Sequence, residues 1–160
     1  MTNIVLVLDN IRSIFNTASL FRTANGAGVS SVYLCGVTPS PHDRFGRIRS
    51  DFAKVSLGAE RSVSWTSCVS TARCISRLRR DHFFIIALEQ HPSSVSYANV
   101  GSIVGAHANI ALILGNEVRG VSPDVFRLCD IGFELPMHGD KESLNVSVAG
   151  GIALYKLRFG

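Results

Sequence analysis

Several features that would place the protein in a membrane or outside the cell are missing from the sequence. It has no apolar run of about 18 residues, the length that a membrane-spanning helix needs. Its first apolar run, Ile4–Asn10, is short, contains Asp9 and lacks the charged start of a signal peptide. No linker rich in proline, glycine or serine divides the 160 residues. We therefore expect a cytoplasmic protein that folds as a single domain over residues 1–160.

The cysteines also lack the spacing of known metal and disulfide frameworks. Cys35, Cys68, Cys74 and Cys129 form no C-x-x-C pair, and no histidine lies at zinc-ligand spacing from them. Disulfides are in any case rare in cytoplasmic proteins. We therefore expect buried or incidental thiols, with no disulfide and no metal.

The glycine motifs of common nucleotide-binding proteins are missing or misplaced. No G-x-x-x-x-G-K-[ST] segment is present, which excludes a P-loop NTPase. Gly26-Ala27-Gly28 follows a predicted helix and precedes a predicted strand, whereas a dinucleotide fingerprint follows a strand and opens a helix. A nucleotide-binding α/β enzyme of another kind remains open.

Positive charge is present but unevenly distributed. The net charge is +4, and the segment from His42 to Arg80 holds nine lysines and arginines against three acidic residues. All but three of the cations in the chain are arginine, whose planar guanidinium suits phosphate groups. A polyanionic partner and an ordinary solvated surface are both compatible with this charge.

Strand-like apolar runs alternate with helical patterns along the chain. The predicted strands are Asn3–Asp9, Ser31–Cys35, Val63–Trp65, Phe83–Leu88, Ile110–Leu114 and Ile131–Leu135. The predicted helices begin after Asn10 or Ser13, cover Ala53–Glu60 and Ser67–Arg80, follow Ser122, and open at Ser143. Residues 91–107 show no regular pattern. The alternation predicts an α/β fold with a mainly parallel sheet and helices on both faces.

The last predicted helix is apolar on nearly every side. One of its apolar stripes consists of Leu144, Val148, Ile152, Tyr155 and Phe159. A helix of this kind is buried on two sides, so it packs on its own sheet and also on a partner. We expect a homodimer, with burial wholly inside one monomer as the alternative.

Polar residues gather where two predicted strands end and where the last helix opens. The segment Gly115–Gly120 follows the strand Ile110–Leu114, the loop Pro136–Glu142 follows the next strand, and Ser143–Asn145 opens the helix. Open α/β sheets bind their ligands at the carboxyl ends of strands. We therefore expect the functional site in the last third of the chain.

Three stretches resemble, in order, the motifs of the SpoU (TrmH) family of RNA methyltransferases, which belongs to the SPOUT superfamily. They are Asn16–Ala24, Gly115–Ser122, and Ile131–Gly139 leading into Ser143–Ala149. The resemblance covers essentially the whole chain, with small departures at Ala18 and Gly150, where the family has glycine and alanine. It implies a deep trefoil knot in the last third, and a homodimer whose interface includes the first and last helices.

The same resemblance implies S-adenosylmethionine as cofactor, bound bent in the knot with its adenine held largely by backbone groups. The residues expected around it lie at the end of the fourth strand, in the two loops and at the start of the last helix. They are Leu88, Glu89, Gly115, Asn116, Glu117, Gly120, Ile131, Leu135, Pro136, Met137, Ser143 and Leu144.

The implied reaction is methyl transfer to a ribose 2′-hydroxyl of RNA. By resemblance, Arg22 activates the hydroxyl, while Asn16, Glu117, Ser143 and Asn145 orient it. No histidine, cysteine or carboxylate pair in the motifs offers an ordinary general base. Because arginine keeps its proton up to a pKa of about 12, Arg22 acts either as a base or as a group that polarises the hydroxyl or grips a phosphate.

Structural roles remain open for the same residues. Arg22 would alternatively pair with Asp9 or Glu117, and Glu117 would pair with Arg119 or brace a turn. Asn16 would alternatively be a helix-surface residue, and Ser143 a helix cap. A knotted RNA-binding protein without turnover is the corresponding alternative function.

The RNA is expected to lie over the basic segment. The candidate phosphate contacts are Arg44, Arg47, Arg49 and Lys54. We expect no added RNA-binding domain, so that the catalytic dimer itself recognises the RNA. This favours a compact target such as a transfer-RNA loop, with ribosomal RNA as the alternative.

Overall fold

A computed structural model describes residues 2–160 of the chain. The strands are β1 (Asn3–Asp9), β2 (Ser31–Cys35), β3 (Ser64–Cys68), β4 (Phe84–Leu88), β5 (Val95–Ser96), β6 (Asn109–Leu114) and β7 (Ile131–Glu134). The helices are α1 (Ile14–Gly26), α2 (Ser50–Ser56), α3 (Ala59–Ser62), α4 (Thr71–Arg80), α5 (Tyr97–Val104), α6 (Pro123–Phe126) and α7 (Val146–Phe159). Strands and helices thus alternate through most of the chain.

All seven strands form one parallel sheet in the order β3-β2-β1-β6-β4-β7-β5. Strand β6 lies between β1 and β4, with Leu8 of β1 opposite Leu114 and Leu88 of β4 opposite the same residue. The carboxyl ends of these strands therefore meet at one edge. The expected parallel α/β sheet is confirmed.

Helices cover both faces of the sheet, because alternate strand residues point to opposite sides. Ile4, Leu6 and Leu8 of β1 join buried residues of α1, α2, α3, α5 and α7 in one core. Val5 and Val7 join buried residues of α4 and α6 in the other. A strand covered on both faces is apolar at nearly every position, which is why β1 was predicted within its true bounds.

Side-chain caps set where the two site helices begin. Ser13 Oγ accepts the amide hydrogen of Asn16 at 3.1 Å, so α1 begins directly after Ser13. Asn145 Oδ1 accepts from Ser147 N at 2.9 Å, so α7 begins at Val146. The helix expected to open at Ser143 therefore opens three residues later, and Asn145 is its cap.

The expectation that residues 91–107 are irregular is wrong. The segment contains the two-residue strand β5 and helix α5, with Ser96 as the helix cap. The helix buries only Val100 and Val104, and Gly101 interrupts its sequence pattern. So few apolar positions give too weak a periodicity to predict from the sequence.

Boundaries of the middle elements also differ from expectation. Strand β3 runs to Cys68 and α4 starts at Thr71, because β3 is an edge strand whose mostly exposed polar residues hide its pattern. The helix expected over Ala53–Glu60 is two short helices. They are separated where Leu57 (φ 51°) and Gly58 (φ 91°) adopt left-handed conformations.

None of the helices within residues 2–160 is both long and apolar enough to cross a membrane. The cytoplasmic location, the single domain and the trefoil knot stay predictions.

Candidate functional site

A cavity of about 440 Å³ opens at the carboxyl ends of the neighbouring strands β6, β4 and β7. The lining includes Leu88, Glu89, Gly115, Asn116, Glu117, Gly120, Leu135, Met137, Ser143 and Leu144. These are all of the expected cofactor residues except Ile131 and Pro136. Residues far apart in sequence thus come together where the sheet was expected to bind a ligand.

The two exceptions have simple structural reasons. Ile131 begins β7, at the strand end away from the cavity, and lines a neighbouring cavity of about 660 Å³. Pro136 is exposed between two residues that do line the cavity. Sequence reasoning missed further lining residues, which are Gln90, Leu114, Val118, Arg119, Glu134, Val146 and Ala149. Each of them is adjacent in sequence to a residue of the expected set or of its motifs.

The loop between β6 and α6 forms a closed turn. Asn116 N donates to Gly120 O at 3.0 Å, and Gly120 N donates back to Asn116 O at 2.9 Å. The Asn116 side chain accepts the amide hydrogens of Val118 and Arg119, both at 3.0 Å, and donates to Asn10 O at 2.8 Å. One side chain therefore fixes the turn and ties it to the end of β1.

Two glycines of this turn have no room for a side chain. A Cβ on Gly115 would lie 2.2 Å from both Gly120 C and Val121 N. Gly120 has φ +67°, and its Cβ would lie 2.1 Å from Glu89 Oε2. The same Glu89 oxygen accepts from Val121 N at 2.7 Å. Backbone therefore passes close to backbone at this point, and only glycine permits it.

Glu117 joins the turn to the start of α1. Its carboxylate accepts from Arg12 N at 3.0 Å, Ser13 N at 2.9 Å and Asn16 Nδ2 at 3.1 Å. Burial favours the neutral acid, but these hydrogen bonds outweigh it and lower the pKa of Glu117 below its ordinary value. Within residues 2–160 Glu117 forms no ion pair with Arg119. Glu117 is thus an ionised carboxylate that holds the amino-terminal, positive end of α1.

Asn16 and Asn145 continue this polar connection. Asn145 Nδ2 donates to Asn16 Oδ1 at 3.1 Å, so a chain of hydrogen bonds links Glu117, Asn16 and Asn145. Asn16 is only 5% exposed, which excludes the role of a helix-surface residue. Ser143 lines the cavity but does not cap α7. The structure thus brings together four of the five expected catalytic residues.

Arg22 is the expected catalytic residue that lies apart from this group. It is exposed on α1 and does not line the cavity. Among the described residues it pairs with neither Asp9 nor Glu117, the two structural alternatives. Asp9 instead accepts hydrogen bonds from Thr71 and Asn10. A single chain therefore leaves the Arg22 guanidinium free for another contact.

The expected RNA contacts surround an exposed aromatic ring in the loop between β2 and α2. The guanidinium carbons of Arg44 and Arg47 lie 4.7 and 5.1 Å from the centroid of Phe45, which is 66% exposed. Arg47 pairs with Asp43 at 3.0 Å. Sequence reasoning missed Phe45, although its position between two arginines is the pattern of a stacking platform.

The remaining candidate cations of this region differ in their pairing. Arg49 pairs with Asp51 at 3.2 Å. Arg44 and Lys54 are exposed and form no ion pair within residues 2–160. The four candidates are therefore not electrostatically equivalent.

Helices α1 and α7 pack against each other and share an exposed apolar face. Its large side chains are Phe15 (61% exposed), Val148 (51%), Ile152 (39%), Tyr155 (49%) and Phe159 (70%). One stripe of α7 therefore stays uncovered in the single chain. Large apolar side chains exposed on two packed helices make this face a candidate interaction site.

Known proteins resemble the chain over nearly all of its length. The sequence model of the SpoU rRNA Methylase family matches residues 3–155. The 23S rRNA (guanosine-2'-O-)-methyltransferase RlmB of Xylella fastidiosa is 31% identical over 153 residues, which are 96% of this chain and 57% of that protein. A TrmH family protein of Staphylococcus aureus is 30% identical with the same coverage.

Solved structures give the same result. The crystal structure of the A. aeolicus TrmH/SpoU tRNA modifying enzyme superposes with a TM-score of 0.81 at 25% identity, covering 99% of this chain and 75% of that one. The AdoMet-bound rRNA methyltransferase of Sinorhizobium meliloti has a TM-score of 0.83 at 24% identity, covering 98% and 56%. The chain spans little more than half the length of the two sequence relatives. It belongs to the SpoU rRNA Methylase family.

Proposed function

We propose that the protein transfers a methyl group from S-adenosylmethionine to a ribose 2′-hydroxyl of RNA. One observation carries the proposal: ten of the twelve expected cofactor residues line one cavity at the carboxyl ends of three neighbouring strands, in a chain of the SpoU family. The name of the Xylella relative supports 2′-O-methylation, and the AdoMet-bound Sinorhizobium structure supports the cofactor.

The chemistry of the cavity fits this cofactor. An adenine ring would find apolar surface on Leu88, Leu114, Leu135 and Met137. The turn Gly115–Gly120 offers backbone groups at the edge of the cavity. Glu117 stays ionised at neutral pH, which favours a positively charged ligand nearby. When bound, S-adenosylmethionine supplies a methyl group on a positively charged sulfur.

The protein residues are proposed to position the ribose hydroxyl rather than to supply an ordinary general base. In-line transfer needs the ribose oxygen held close to the methyl carbon, and such positioning alone supplies several kcal/mol of the barrier. Glu117 is a weak base because three donors already occupy its carboxylate. We therefore propose that Glu117 fixes Asn16 and Asn145, and that these amides and Ser143 orient the ribose.

The role of Arg22 is proposed to depend on a homodimer. The exposed apolar face of α1 and α7 would be covered by the same face of a second copy about a two-fold axis. Arg22 lies on α1, within this proposed interface region, and is absent from its own cavity lining. We propose that it reaches the cavity of the partner subunit, where it polarises the hydroxyl or grips the adjoining phosphate.

Mixed dimers test this arrangement of Arg22. Arg22→Ala and Asn145→Ala should each reduce methyl transfer when expressed alone. When the two subunits are co-expressed, the mixed dimers should restore activity up to about one quarter of the wild-type value. Half of the dimers are then mixed, and each has one intact site. If Arg22 instead acts in the cavity of its own subunit, every cavity of the mixed dimer lacks either Arg22 or Asn145, and no activity returns.

The RNA is proposed to contact the loop between β2 and α2. Arg44 and Lys54 would bind phosphates, with weaker contributions from the paired Arg47 and Arg49, while Phe45 would stack on an unpaired base. Transfer RNA is the first candidate substrate. Ribosomal RNA is the second, and the name of the Xylella relative favours it.

The decisive experiment is incubation of the purified protein with methyl-labelled S-adenosylmethionine and separated transfer and ribosomal RNA. Nuclease digestion and nucleoside mass spectrometry should detect a 2′-O-methylated nucleoside in one fraction. The Arg22→Ala variant is the control, because it should bind the cofactor normally and produce no methylated nucleoside. Absence of cofactor binding by the wild-type protein would overturn the proposal.

A further inference from the structure

Three of the four cysteines meet beside the carboxyl ends of β2 and β3. The cavity lies along the same edge of the sheet, at the carboxyl ends of β6, β4 and β7. In the parallel register, Asp9 at the end of β1 lies opposite Cys35 at the end of β2, and Cys35 lies opposite Cys68 at the end of β3. Neighbouring positions in register point to the same face of a sheet. Both cysteines therefore lie on the face that α4 covers.

Helix α4 supplies the third thiol. Cys74 lies one turn into α4, and its side chain packs in the same buried cluster as Cys35 and Cys68. The three sulfur atoms all lie within 4.8 Å of one another. Within residues 2–160 this is the one group of three or more metal-binding side chains close enough to share an ion.

We propose that Cys35, Cys68 and Cys74 form a three-thiolate binding site for a divalent, thiophilic metal ion of the zinc type. Thiolate sulfurs bind such an ion at about 2.3 Å, which places two sulfurs of a tetrahedral site about 3.8 Å apart. Sulfur atoms already within 4.8 Å of one another reach this geometry by side-chain shifts of about an ångström or less.

The surroundings favour a divalent over a monovalent ion. Three thiolates and a divalent ion leave one net negative charge, whereas a monovalent ion leaves two beside the buried carboxylate of Asp9. Arg77 lies near Cys68 and offsets the remaining charge. Each ligating thiol releases its proton to solvent on binding.

The fourth position is expected to hold water. Asp9 is already engaged by Thr71 Oγ1 and Asn10 Nδ2, and its carboxylate is not among the atoms that converge. Cys68 is only half-buried, so solvent reaches that side of the group. Such an ion would tie β2, β3 and α4 together beside the loop that follows Cys35, whose Gly36 N already donates to Cys68 O at 3.0 Å.

This proposal replaces the sequence expectation of no metal. That expectation rested on C-x-x-C spacing, whereas Cys35 and Cys68 come together through strand pairing across 33 positions of sequence. Neither the spacing of Cys68 and Cys74 nor any nearby histidine signals a site. The metal site is also independent of methyl transfer, so its failure would leave the proposed reaction untouched.

Metal binding by the wild-type protein is the first test. Reduced, chelator-treated protein should take up one Zn²⁺ per chain in competition with a chromophoric chelator, and melt at a higher temperature with zinc. Co²⁺ should produce a sulfur-to-cobalt charge-transfer band and the visible bands of a tetrahedral site. No uptake of Zn²⁺ and no such bands would overturn the proposal. Uptake of Cu⁺ alone would overturn the divalent assignment.

Single serine variants identify the ligands. Cys35→Ser, Cys68→Ser and Cys74→Ser should each lower zinc affinity at least tenfold and weaken the charge-transfer band. Cys129→Ser is the matched control, because Cys129 is a free thiol that lies outside the group of three, and its Sγ donates to Val125 O at 3.4 Å. Equal loss in the control would overturn the assignment. The assignment would also be overturned if two of the three thiols form a disulfide in air and the protein, once reduced, takes up no metal.

Discussion

The cavity and the loop between β2 and α2, residues 36–49, lie along the same carboxyl edge of one sheet but are built differently. In the cavity, Gly115 has backbone atoms 2.2 Å from where its Cβ would stand. In the loop, Gly46 has nothing within 4 Å of that position. The cavity is defined by close contacts, whereas the loop is defined by exposed side chains around Phe45.

This difference teaches which physical quantity each region depends on. The turn Gly115–Gly120 is closed by backbone hydrogen bonds and braced by Glu117, so its function depends on positions accurate to fractions of an ångström. The loop presents guanidinium groups to solvent, so its contribution depends on charge and exposed area. Single substitutions should therefore have large effects in the cavity and small, salt-dependent effects in the loop.

The largest effect is expected from Gly115→Ala. The added methyl would overlap the backbone of Gly120 and Val121, so the turn has to move. We expect a loss of about 2 to 3 kcal/mol in the free energy of unfolding and a fall of about 100-fold in S-adenosylmethionine affinity. Urea unfolding and calorimetric titration measure the two quantities.

Gly139→Ala is the matched control for this substitution. Gly139 lies in the loop after β7, where an added Cβ would have nothing within 4 Å, and its φ is not left-handed. We expect near wild-type stability and cofactor binding. Equal effects of the two substitutions would mean that close backbone contact does not set the cavity apart.

The second-largest effect, a loss in the free energy of unfolding, is expected from Glu117→Gln. The amide cannot accept from Arg12, Ser13 and Asn16 together, because its nitrogen is a donor. Hydrogen bonds to charged groups contribute about 1.5 to 3 kcal/mol, and partial exposure places the expected loss near the lower end. Chemical unfolding at neutral pH measures it. Glu134→Gln, which removes a carboxylate of the same cavity, should have a smaller effect.

The Glu117 effect should depend on pH in a defined direction. The folded-state pKa of Glu117 is lowered, so its stabilising contribution is fully present above the unfolded-state pKa of about 4.3 and is lost as pH falls through the folded-state value. The stability difference between wild type and Glu117→Gln should therefore shrink below about pH 4. A difference that stays constant down to acid pH would contradict the role of the ionised carboxylate.

Much of the fold could be predicted because its signals are local. Strand β1, strand β2 and the cap Ser122 follow from runs and residue types that lie next to each other in sequence. Helix α5 and the edge strand β3 could not be predicted in full, because they bury few side chains and carry little periodicity. Local pattern is informative only where burial is extensive.

The candidate site divides in the same way. Most of its residues were predicted because they lie in three sequence motifs, and the cavity brings most of the predicted residues together. The sequence did not predict that Glu117 holds the start of α1 from 104 residues away, nor that three cysteines meet across two strands and a helix. Long-range contacts of single side chains have no local signal in one sequence.

A third, smaller effect is expected at Asn145, which has two separable roles. Its Oδ1 caps α7, and its Nδ2 donates to Asn16. Asn145→Ala should lower the free energy of unfolding by about 1 kcal/mol and also reduce methyl transfer. Asn145→Asp keeps the cap and removes the donor, so it isolates the contact with Asn16 and should lower kcat. If both variants lose only stability, Asn145 is a cap and not a positioning residue.

The smallest effect is expected in the loop, where it tests whether charge alone governs that region. Arg44→Ala should lower the slope of log affinity against log salt for RNA by about 0.7, the contribution of one phosphate contact to a single strand. Arg47→Ala should change the slope less, because Asp43 already neutralises that guanidinium at 3.0 Å. Phe45→Ala should weaken binding without changing the slope, because stacking releases no counterions. Binding measured over a range of salt concentrations separates these cases. Equal slopes for all three variants would place the RNA elsewhere and remove the contrast between a cavity fixed by contacts and a loop that acts through charge.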